Sequence, residues 1–360
     1  MEIKAEFLLP TKELRKDIPF FMNTLKMQMD MIYPADNPTV AVFSGHGIRI
    51  RIDKEAIISP GKIRILCENP DEFASGKKIL KAPNNTIIEI DEINPPVVLP
   101  TTKHSFVVKK LADQAPWIIG RAGMHYRDLI PDRLGGSIIA SHIRIPDGGP
   151  VPDMVHYHSV GFQLIFCYKG WVDLVYEDQG EPLRLYAGNC VIQPPEIRHQ
   201  VLYASDNIEV IEIGVPADHI TIIDHQMKLP NDKVNSEREF QGQKFVHHKA
   251  DEAEWSDFRI PGFMSRDTTI AFHTKNVAGV EVIKPNGKPT KENWHTCDIL
   301  FTFVMEGKMT IISEGKETFS LTAGDAFVVP PNMKTCYADP SADLELLEVS
   351  LPGTFETIIE

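Results

Sequence analysis

The second part of this chain contains an internal repeat. Residues 156–170 read HYHSVGFQLIFCYKG and align without a gap to residues 293–307, which read NWHTCDILFTFVMEG. Farther along, AGNCVIQPPEIRH at 187–199 aligns in the same way to AGDAFVVPPNMKT at 323–335. Two stretches that recur in the same order predict that one domain is present twice in tandem.

Short strands dominate the sequence around these repeats. From about residue 101 onward, apolar or alternating runs such as SIIASHIRIP, FQLIFCYKG and IEVIEIGVP are separated by Gly, Pro, Asp and Asn. Many short strands with turn residues between them are typical of a β-barrel or a β-sandwich. The proline-rich segment NPPVVLP at 94–100 interrupts regular structure and reads as a linker. We therefore predict three domains, at residues 1–95, 101–228 and 229–360.

The first domain has the pattern of a small α+β module. A strand, IKAEFLLP, precedes a helix, ELRKDIPFFMNTLKM, whose residues Leu14, Ile18, Phe21 and Leu25 share one apolar face. The strands QMDMIYP, TVAVFSG, GIRIRID and KIRILCE follow, and the first three of them complete a βαβββ order. This order, with the segment YPADNPTVAVFSGHGIRIRID, resembles one module of the vicinal oxygen chelate (glyoxalase-like) family.

That family uses paired modules, with metal ligands on the first and last strands of a module. The segment here reads as a single module, and its first strand offers no histidine. We therefore expect it to have a structural or oligomerising role and to hold no second metal site.

Three histidines in the first repeat form a candidate metal site. Residues i and i+2 of a strand point to the same face, so His156 and His158 aim together into a barrel while Tyr157 points away. His199 follows a Pro-Pro turn that would bring its strand beside the first pair. Imidazole nitrogens suit iron, nickel, copper, zinc and manganese. The alternative is that these histidines are satisfied by ordinary hydrogen bonds.

The spacing of these residues resembles the two-part cupin motif. In the first half, HxH is separated by four residues from Gln163, and Gly170 follows. The second half consists of Gly188, a Pro-Pro pair and His199. The resemblance implies a mostly β bicupin over residues 101–360, with two tandem double-stranded β-helix (jelly-roll) barrels, and it implies a homodimer. It also makes Gln163 the fourth metal ligand, at a position where the family usually has Glu. Alternatively, Gln163 faces a water or the substrate and the metal has three protein ligands.

The neutral side chain of Gln163 has a chemical consequence. Four neutral ligands leave the +2 charge of one divalent ion uncompensated, which favours an anionic small-molecule substrate or a dioxygen-derived ligand. This set resembles that of the three-histidine dioxygenases of the cupin superfamily, so we expect Fe2+ and a non-haem dioxygenase. With Zn2+, Ni2+ or Mn2+, a redox-neutral lyase or isomerase is the alternative. A barrel that binds a small ligand without turnover is the third hypothesis.

The second repeat has lost most of these residues. Asn293 replaces the first histidine, His295 is retained, Leu300 aligns with Gln163, and Thr335 replaces the last histidine. Because one imidazole cannot hold a metal firmly, we predict that this second, degenerate barrel is structural or completes the subunit interface.

Several residues near the metal motif are candidates for contact with the substrate. The segment before the motif is rich in arginine, and we predict that Arg127, Arg133 and Arg144 include the residues that hold an anion, since a guanidinium binds such groups through two parallel hydrogen bonds. Surface ion pairs with nearby aspartates are the alternative. Tyr126, Tyr168 and Glu212 are the candidates for proton transfer. The alternatives are that each tyrosine is a core residue with a satisfied hydroxyl, and that Glu212 is a hydrogen-bond partner of a ligand histidine or faces outward.

Composition excludes other classes of partner. The formal net charge of -13 repels nucleic acid, and no block of Lys and Arg offsets it. The longest apolar runs are of strand length, far short of the roughly 20 residues that cross a bilayer, so we expect no membrane partner. The first residues lack the features of a secretory signal, and we expect a cytoplasmic protein.

Overall fold

Strands joined by short turns make up most of the computed structural model, which describes residues 3–113 and 116–360. The chain forms two compact units, Met1–Pro96 and Val97–Glu360. None of the helices in the described ranges is long and apolar enough to cross a membrane.

The first unit contains two small sheets. Along the chain, the elements are β1 (Phe7–Pro10), α1 (Leu14–Pro19), β2 (Gln28–Tyr33), β3 (Val40–Gly45), β4 (Ile48–Asp53), β5 (Lys62–Cys67), α2 (Pro70–Ala74), β6 (Ile79–Lys81) and β7 (Ile87–Glu92). One sheet has the strand order β1-β4-β3-β2, with β1 parallel to β4, and the other has the order β5-β7-β6, with β5 parallel to β7.

The predicted helix of this unit is present, with its apolar face as expected. It continues beyond α1 as a π-helical turn, Phe20–Thr24, and Leu14, Phe21 and Leu25 are buried. The expectation of a single module was wrong. The strand KIRILCE is β5, which begins a second, shorter copy of the same strand–helix–strand pattern instead of closing the first sheet. Its helix has five residues and the strand after it three, which is too short for the repetition to be visible in the sequence.

The second unit consists of two β-barrels. In chain order, the strands up to the end of the first barrel are β8 (Val107–Lys109), β9 (Ile118–Ile119), β10 (His125–Asp128), β11 (Ile139–Ile145), β12 (Gly149–Pro150), β13 (His156–Ser159), β14 (Phe162–Lys169), β15 (Trp171–Tyr176), β16 (Leu183–Tyr186), β17 (Cys190–Ile192), β18 (His199–Ala204), β19 (Ile208–Val215) and β20 (Ile220–Ile223).

The remaining elements lead into the second barrel and complete it. They are β21 (Glu239–Phe240), β22 (Gln243–Lys244), β23 (Val246–His248), β24 (Ser256–Asp257), β25 (Phe263–Asp267), α3 (Ile270–His273), β26 (Gly279–Pro285), β27 (Asn293–His295), β28 (Ile299–Glu306), β29 (Lys308–Ser313), β30 (Phe319–Thr322), β31 (Ala326–Val328), β32 (Thr335–Ala338), β33 (Glu345–Leu351) and β34 (Thr357–Ile359). Single turns of 3-10 helix lie at Leu111–Asp113, Arg121–Gly123, Arg133–Gly135 and Ala250–Glu252.

Each barrel is built from two facing sheets and borrows one strand from the other half of the chain. Among the described strands, the first barrel has sheets of order β23-β17-β14-β19-β11-β10-β9 and β16-β15-β18-β13-β20. The second has the orders β24-β25-β26-β33-β28-β31-β8 and β30-β29-β32-β27-β34. Strand β8 therefore precedes the first barrel in sequence but pairs with β31 of the second, and β23 pairs with β17 of the first.

Two arginine side chains also connect the barrels, one from each barrel to the other. Arg127 donates from Nη2 to the carbonyl oxygen of Gly324, at 2.8 Å, and Arg266 donates from Nη2 to the carbonyl oxygen of Gly188, at 2.9 Å. The two glycines occupy equivalent places in the repeat, AGN and AGD. Each barrel thus satisfies a backbone acceptor of the other.

The barrels share one apolar core. Phe162, Leu164 and Phe166 of β14 belong to the same buried cluster as Phe301 and Phe303 of β28. Because side chains alternate along a strand, the residues between them face the barrel interiors. The face that points into each barrel is therefore determined by the contact between the barrels.

This shared core predicts a large effect for one substitution. Phe303 is fully buried, and its ring centroid lies 5.1 Å from that of Tyr168 in the first barrel. Phe303→Ala should lower the free energy of unfolding by about 3–5 kcal/mol, measured by urea denaturation. Phe272→Ala, at a side chain that is 81% exposed, is the matched control and should change it by less than about 0.5 kcal/mol. Equal effects of the two substitutions would contradict a core shared between the barrels.

Candidate metal centre

Three histidines converge inside the first barrel. His156 and His158 lie on the same face of β13, and His199 begins β18, which pairs antiparallel with β13 so that His156 is opposite His199. The ring centroids of His156 and His199 are 4.2 Å apart, and the potential ligand atoms of the three residues all lie within 4.8 Å of one another. Among the described residues, this is the one such group of His, Cys, Asp or Glu.

Hydrogen bonds orient each ring. Nδ1 of His156 donates to the carbonyl oxygen of Met154 at 2.7 Å, and Nδ1 of His199 donates to that of Ile197 at 2.9 Å. Nδ1 of His158 is 2.9 Å from the hydroxyl of Thr221. A proton on Nδ1 leaves Nε2 with a free lone pair, which is the arrangement of a metal-binding imidazole. Nε2 of His156 is buried and has no hydrogen-bond partner, so the residues present fit a metal ion.

The three rings are held in their neutral form. Burial lowers the pKa of His156, and it lowers the pKa of His158 to about 2 with help from neighbouring His156. Burial also lowers the pKa of His199 well below its ordinary value. Neutral imidazoles need to lose no proton before they bind a cation.

Gln163 lies inside the same barrel. Its side chain is 1% exposed, and Nε2 donates to Oε1 of Glu212 at 2.6 Å. Oε1 of Gln163 is buried and has no hydrogen-bond partner. Ligation by Gln163 stays a prediction, but an oxygen without a partner is available for it.

A small cavity of about 70 Å³ opens beside the histidines. Its polar lining outside the three rings comes from Arg121, Tyr126, Gln193 and Glu212, and the rest is mainly aliphatic, with side chains from β11, β14, β15, β18 and β19. A buried water needs at least roughly 10–15 Å³ of such space, so the cavity accommodates only a small ligand. Of the predicted proton-transfer residues, the structure brings Tyr126 and Glu212 to this cavity.

Arg121 belongs to the arginine-rich run but was not among the three predicted substrate residues. It forms an ion pair with the buried carboxylate of Asp153. That carboxylate accepts a hydrogen bond from the backbone N–H of Val201 at 2.9 Å and lies 3.7 Å from Nδ1 of His156. Arg121 therefore presents a guanidinium to the cavity as one half of an ion pair, and its partner Asp153 also lies close to a candidate ligand.

The three arginines that the sequence singled out lie elsewhere. Arg127 is buried at the junction of the barrels, where Nη2 lies 3.0 Å from Nδ1 of His142. Arg133 pairs with Asp128 and Asp218, and Arg144 donates to Asn207. Strand alternation gives the reason, because Tyr126 faces the cavity and its neighbour Arg127 must face away. The same holds for Arg144, which lies between the cavity residues Ile143 and Ile145.

Tyr168 also lies outside the cavity. Its hydroxyl donates to the carbonyl oxygen of Met305 in the second barrel at 2.9 Å, and its ring packs against His142 and Phe303. The structure therefore places Tyr168 in the contact between the barrels.

The second barrel contains an ion pair where its sequence has lost the metal motif. Arg259 binds Glu348 through two hydrogen bonds of 2.6 and 2.8 Å. Glu281 lies near this pair, and burial, followed by the charge of Glu348, raises the pKa of Glu281 to about 7. Nε2 of His295 donates to the carbonyl oxygen of Val329 at 3.1 Å. One imidazole, already used in this way, agrees with the predicted structural role of this barrel.

Comparison with known proteins agrees with this fold. Residues 279–350 match the family described as "Cupin domain", which places the match in the second barrel. A search of curated protein sequences gave no match.

Solved structures with the same fold include three enzymes. Salicylate 1,2-dioxygenase from Pseudaminobacter salicylatoxidans is 15% identical, with a TM-score of 0.54 over 73% of this chain and 91% of that one. A mutant of oxalate decarboxylase from Bacillus subtilis is 12% identical, with a TM-score of 0.53 over 81% and 84%. A formate complex of oxalate decarboxylase from Lactobacillus farciminis is 14% identical, with a TM-score of 0.52 over 73% and 91%. These likenesses confirm the predicted fold class, which is mostly β with two tandem cupin barrels.

The lowered pKa values predict how the stability of the metal-free protein depends on pH. The unfolded histidines take up protons below about pH 6.5, whereas the buried ones do not, so their contribution to stability is present above that pH and is lost as the pH falls. Each imidazole should contribute a slope of about 1.4 kcal/mol per pH unit.

Urea denaturation of the chelator-treated protein between pH 7.5 and 5 measures this slope. At pH values well below 6.5, His199→Asn should make it shallower by about 1.4 kcal/mol per pH unit, because one buried imidazole is removed. As the control, Phe272→Asn, at a side chain that is 81% exposed, removes no titratable group and should leave the slope unchanged. An unchanged slope in His199→Asn would show that this ring is not held neutral by the fold.

Proposed function

We propose that this protein is a metal-dependent enzyme that acts on a small anionic molecule in its first cupin barrel. The observation that carries the proposal is the group His156, His158 and His199, whose potential ligand atoms lie within 4.8 Å of one another beside a cavity. The three rings are neutral and buried, and their Nδ1 atoms are engaged. Such a set is ready to bind one divalent ion and leaves coordination positions open for chemistry.

Fe2+ is the metal that we favour, with Zn2+, Ni2+ or Mn2+ as alternatives, since imidazole ligands suit all of them. When bound, the ion would supply a Lewis-acidic positive centre, and Fe2+ would also supply electrons for the reduction of dioxygen. Two of the proteins with this fold are named for reactions of salicylate and oxalate, which are small carboxylates. Their names agree with an anionic substrate and include a dioxygenase.

The residues of the cavity divide the remaining tasks. Arg121 offers a guanidinium that attracts the anionic group of the substrate. The aliphatic wall excludes water and restricts the size of the substrate. The hydroxyl of Tyr126 keeps its proton, because burial, followed by the charge of Glu212, raises its pKa to about 12. Tyr126 can therefore donate a hydrogen bond, while Glu212 can accept a proton.

Glu212 and Tyr126 also favour a second candidate function. A proton acceptor and a hydroxyl donor in one cavity are the groups that a redox-neutral lyase or isomerase needs to move a proton on a substrate polarised by a metal. This reaction would consume no dioxygen. Oxygen consumption therefore distinguishes the two functions.

For the first unit we propose a structural or oligomerising role. Its sheet order β1-β4-β3-β2, with the outer strand β1 parallel to β4, agrees with the proposed likeness to a glyoxalase-like module. The described residues of this unit include no group of three His, Cys, Asp or Glu side chains close enough to hold a metal. We therefore assign the chemistry to the first barrel.

Oxygen uptake tests the leading function. The protein is loaded with Fe2+ without air and then mixed with air-saturated buffer and a series of short aliphatic carboxylates, each beside its uncharged amide. We expect uptake with a carboxylate and none with the matching amide, because the site carries positive charge. A product formed without oxygen uptake would favour the lyase or isomerase, and tight binding without any product would leave a non-catalytic binding barrel.

Replacement of Arg121 tests the assignment of the anion contact. A charged hydrogen bond contributes about 1.5–3 kcal/mol, so Arg121→Gln should raise KM by about 10- to 100-fold while metal content stays the same. Arg184, which pairs with Asp173 on the surface, gives the control Arg184→Gln, whose KM should remain that of the parent protein. If KM is unchanged in Arg121→Gln, another group holds the anion.

A further inference from the structure

The position of one carboxylate changes the charge balance of the site. From the sequence, neutral Gln163 leaves a bound divalent ion without a compensating negative charge. In the structure, Oε1 of Glu212 accepts a hydrogen bond from Nε2 of Gln163 at 2.6 Å. Gln163 on β14 carries no negative charge, but Glu212 on the adjacent strand, β19, does.

The sheet register brings the two side chains together. Strands β14 and β19 pair antiparallel, with Gln163 opposite Gly214 and Ile165 opposite Glu212. Glu212 and Ile165 both line the cavity, and Gln163 is on the same face of β14 as Ile165. Gln163 and Glu212 are thus diagonal neighbours on the inner surface of the barrel, within reach of long side chains.

The hydrogen bond also determines which end of the amide is free. Glu212 can accept from the NH2 group of Gln163, whereas it would repel the amide oxygen. Oε1 of Gln163 is therefore turned away from Glu212, and it is the atom that is buried without a hydrogen-bond partner. A carboxylate behind an amide polarises it, which makes the amide oxygen a better electron donor, as in the carboxylate–histidine–metal arrangement.

The second barrel provides a comparison within the same chain. Glu348 of β33 lies opposite Thr302 of β28. In the first barrel, Glu212 of β19 lies opposite Ile165 of β14 in the same way. The residue that corresponds to Gln163 is Leu300, which offers no hydrogen-bond donor. There the guanidinium of Arg259 binds the retained carboxylate instead. Both barrels thus keep a glutamate at this position and provide it with an N–H donor, by different means.

We propose that Gln163 and Glu212 act as one unit, in which Glu212 orients and polarises the amide so that Oε1 of Gln163 is the fourth donor of the three-histidine site. Glu212 is then a positioning residue for the metal and supplies negative charge without contacting the ion. This inference rests on the proposed function as a metal-dependent enzyme. It explains why a carboxylate at position 163 would be unfavourable here, since it would lie against that of Glu212.

A charge swap tests the proposal. The parent protein and the variants Gln163→Glu, Glu212→Gln and the double variant that combines them are titrated with Co2+ in a competition assay at fixed pH. Glu212→Gln should weaken Co2+ binding by about 10- to 100-fold, the usual cost of losing a group that supports a metal ligand. The double variant should regain at least the affinity of the parent, because it again pairs one carboxylate with one amide.

The melting temperature of the metal-free variants gives a second readout. Gln163→Glu should lower it, because two carboxylates then face each other, and the double variant should restore it. Glu209 is on the same strand and is bound to His142 at 2.7 Å, so Glu209→Gln removes the same charge outside the unit and should change Co2+ affinity less than twofold.

The outcomes separate this inference from the proposed function. If the parent protein does not bind Co2+, the proposed metal-dependent function fails. If the parent binds Co2+ but Glu212→Gln binds it equally well, or if the double variant is as weak as Glu212→Gln, the coupling of Gln163 with Glu212 is refuted and the metal site stands without it.

Discussion

The packing of β14 against β28 is the contact on which the rest of the second unit depends. Phe162, Leu164 and Phe166 on one side and Phe301 and Phe303 on the other form a single apolar core between the barrels. Strand alternation then directs the neighbouring residues inward, including Gln163 in the first barrel and Leu300 in the second. The exchanged strands β8 and β23 reinforce the same contact. The inner surface of each barrel is therefore a consequence of how the two barrels meet.

The two copies use this inner surface differently. The first directs three neutral imidazoles and a carboxylate toward a cavity of about 70 Å³, and the amide of Gln163 donates to that carboxylate. The second contains the ion pair of Arg259 with Glu348, so its internal charge is balanced by the protein itself. The guanidinium of Arg259 gives the second barrel the positive charge that a bound metal ion would give the first. The two copies thus share one framework, and among the described residues three imidazoles converge in the first copy alone.

The sequence predicted the parts of the site that depend on local spacing. HxH on a strand and a histidine after a Pro-Pro turn were sufficient to place His156, His158 and His199, and the repeat was sufficient for the two barrels. The contact between Gln163 and Glu212 could not be predicted in this way, because it depends on the register of strands far apart in sequence. Arg121 lies in a single turn of 3-10 helix, where no strand alternation indicates which side chain faces the cavity. Alternation could have excluded Arg127 once Tyr126 was placed inside. The exchanged strands were missed because three residues are too few to show a pattern.

Metal content is the measurement that tests the central claim most directly, and the degenerate barrel provides its control. Elemental analysis is made on protein produced without a histidine tag, for the parent chain, His156→Ala and His295→Ala. We expect about one divalent ion per chain in the parent and in His295→Ala, and loss of the ion in His156→Ala, because only the first barrel holds three converging imidazoles among the described residues. A parent protein that binds no metal even after reconstitution, or a His156→Ala variant that retains it, would contradict this account.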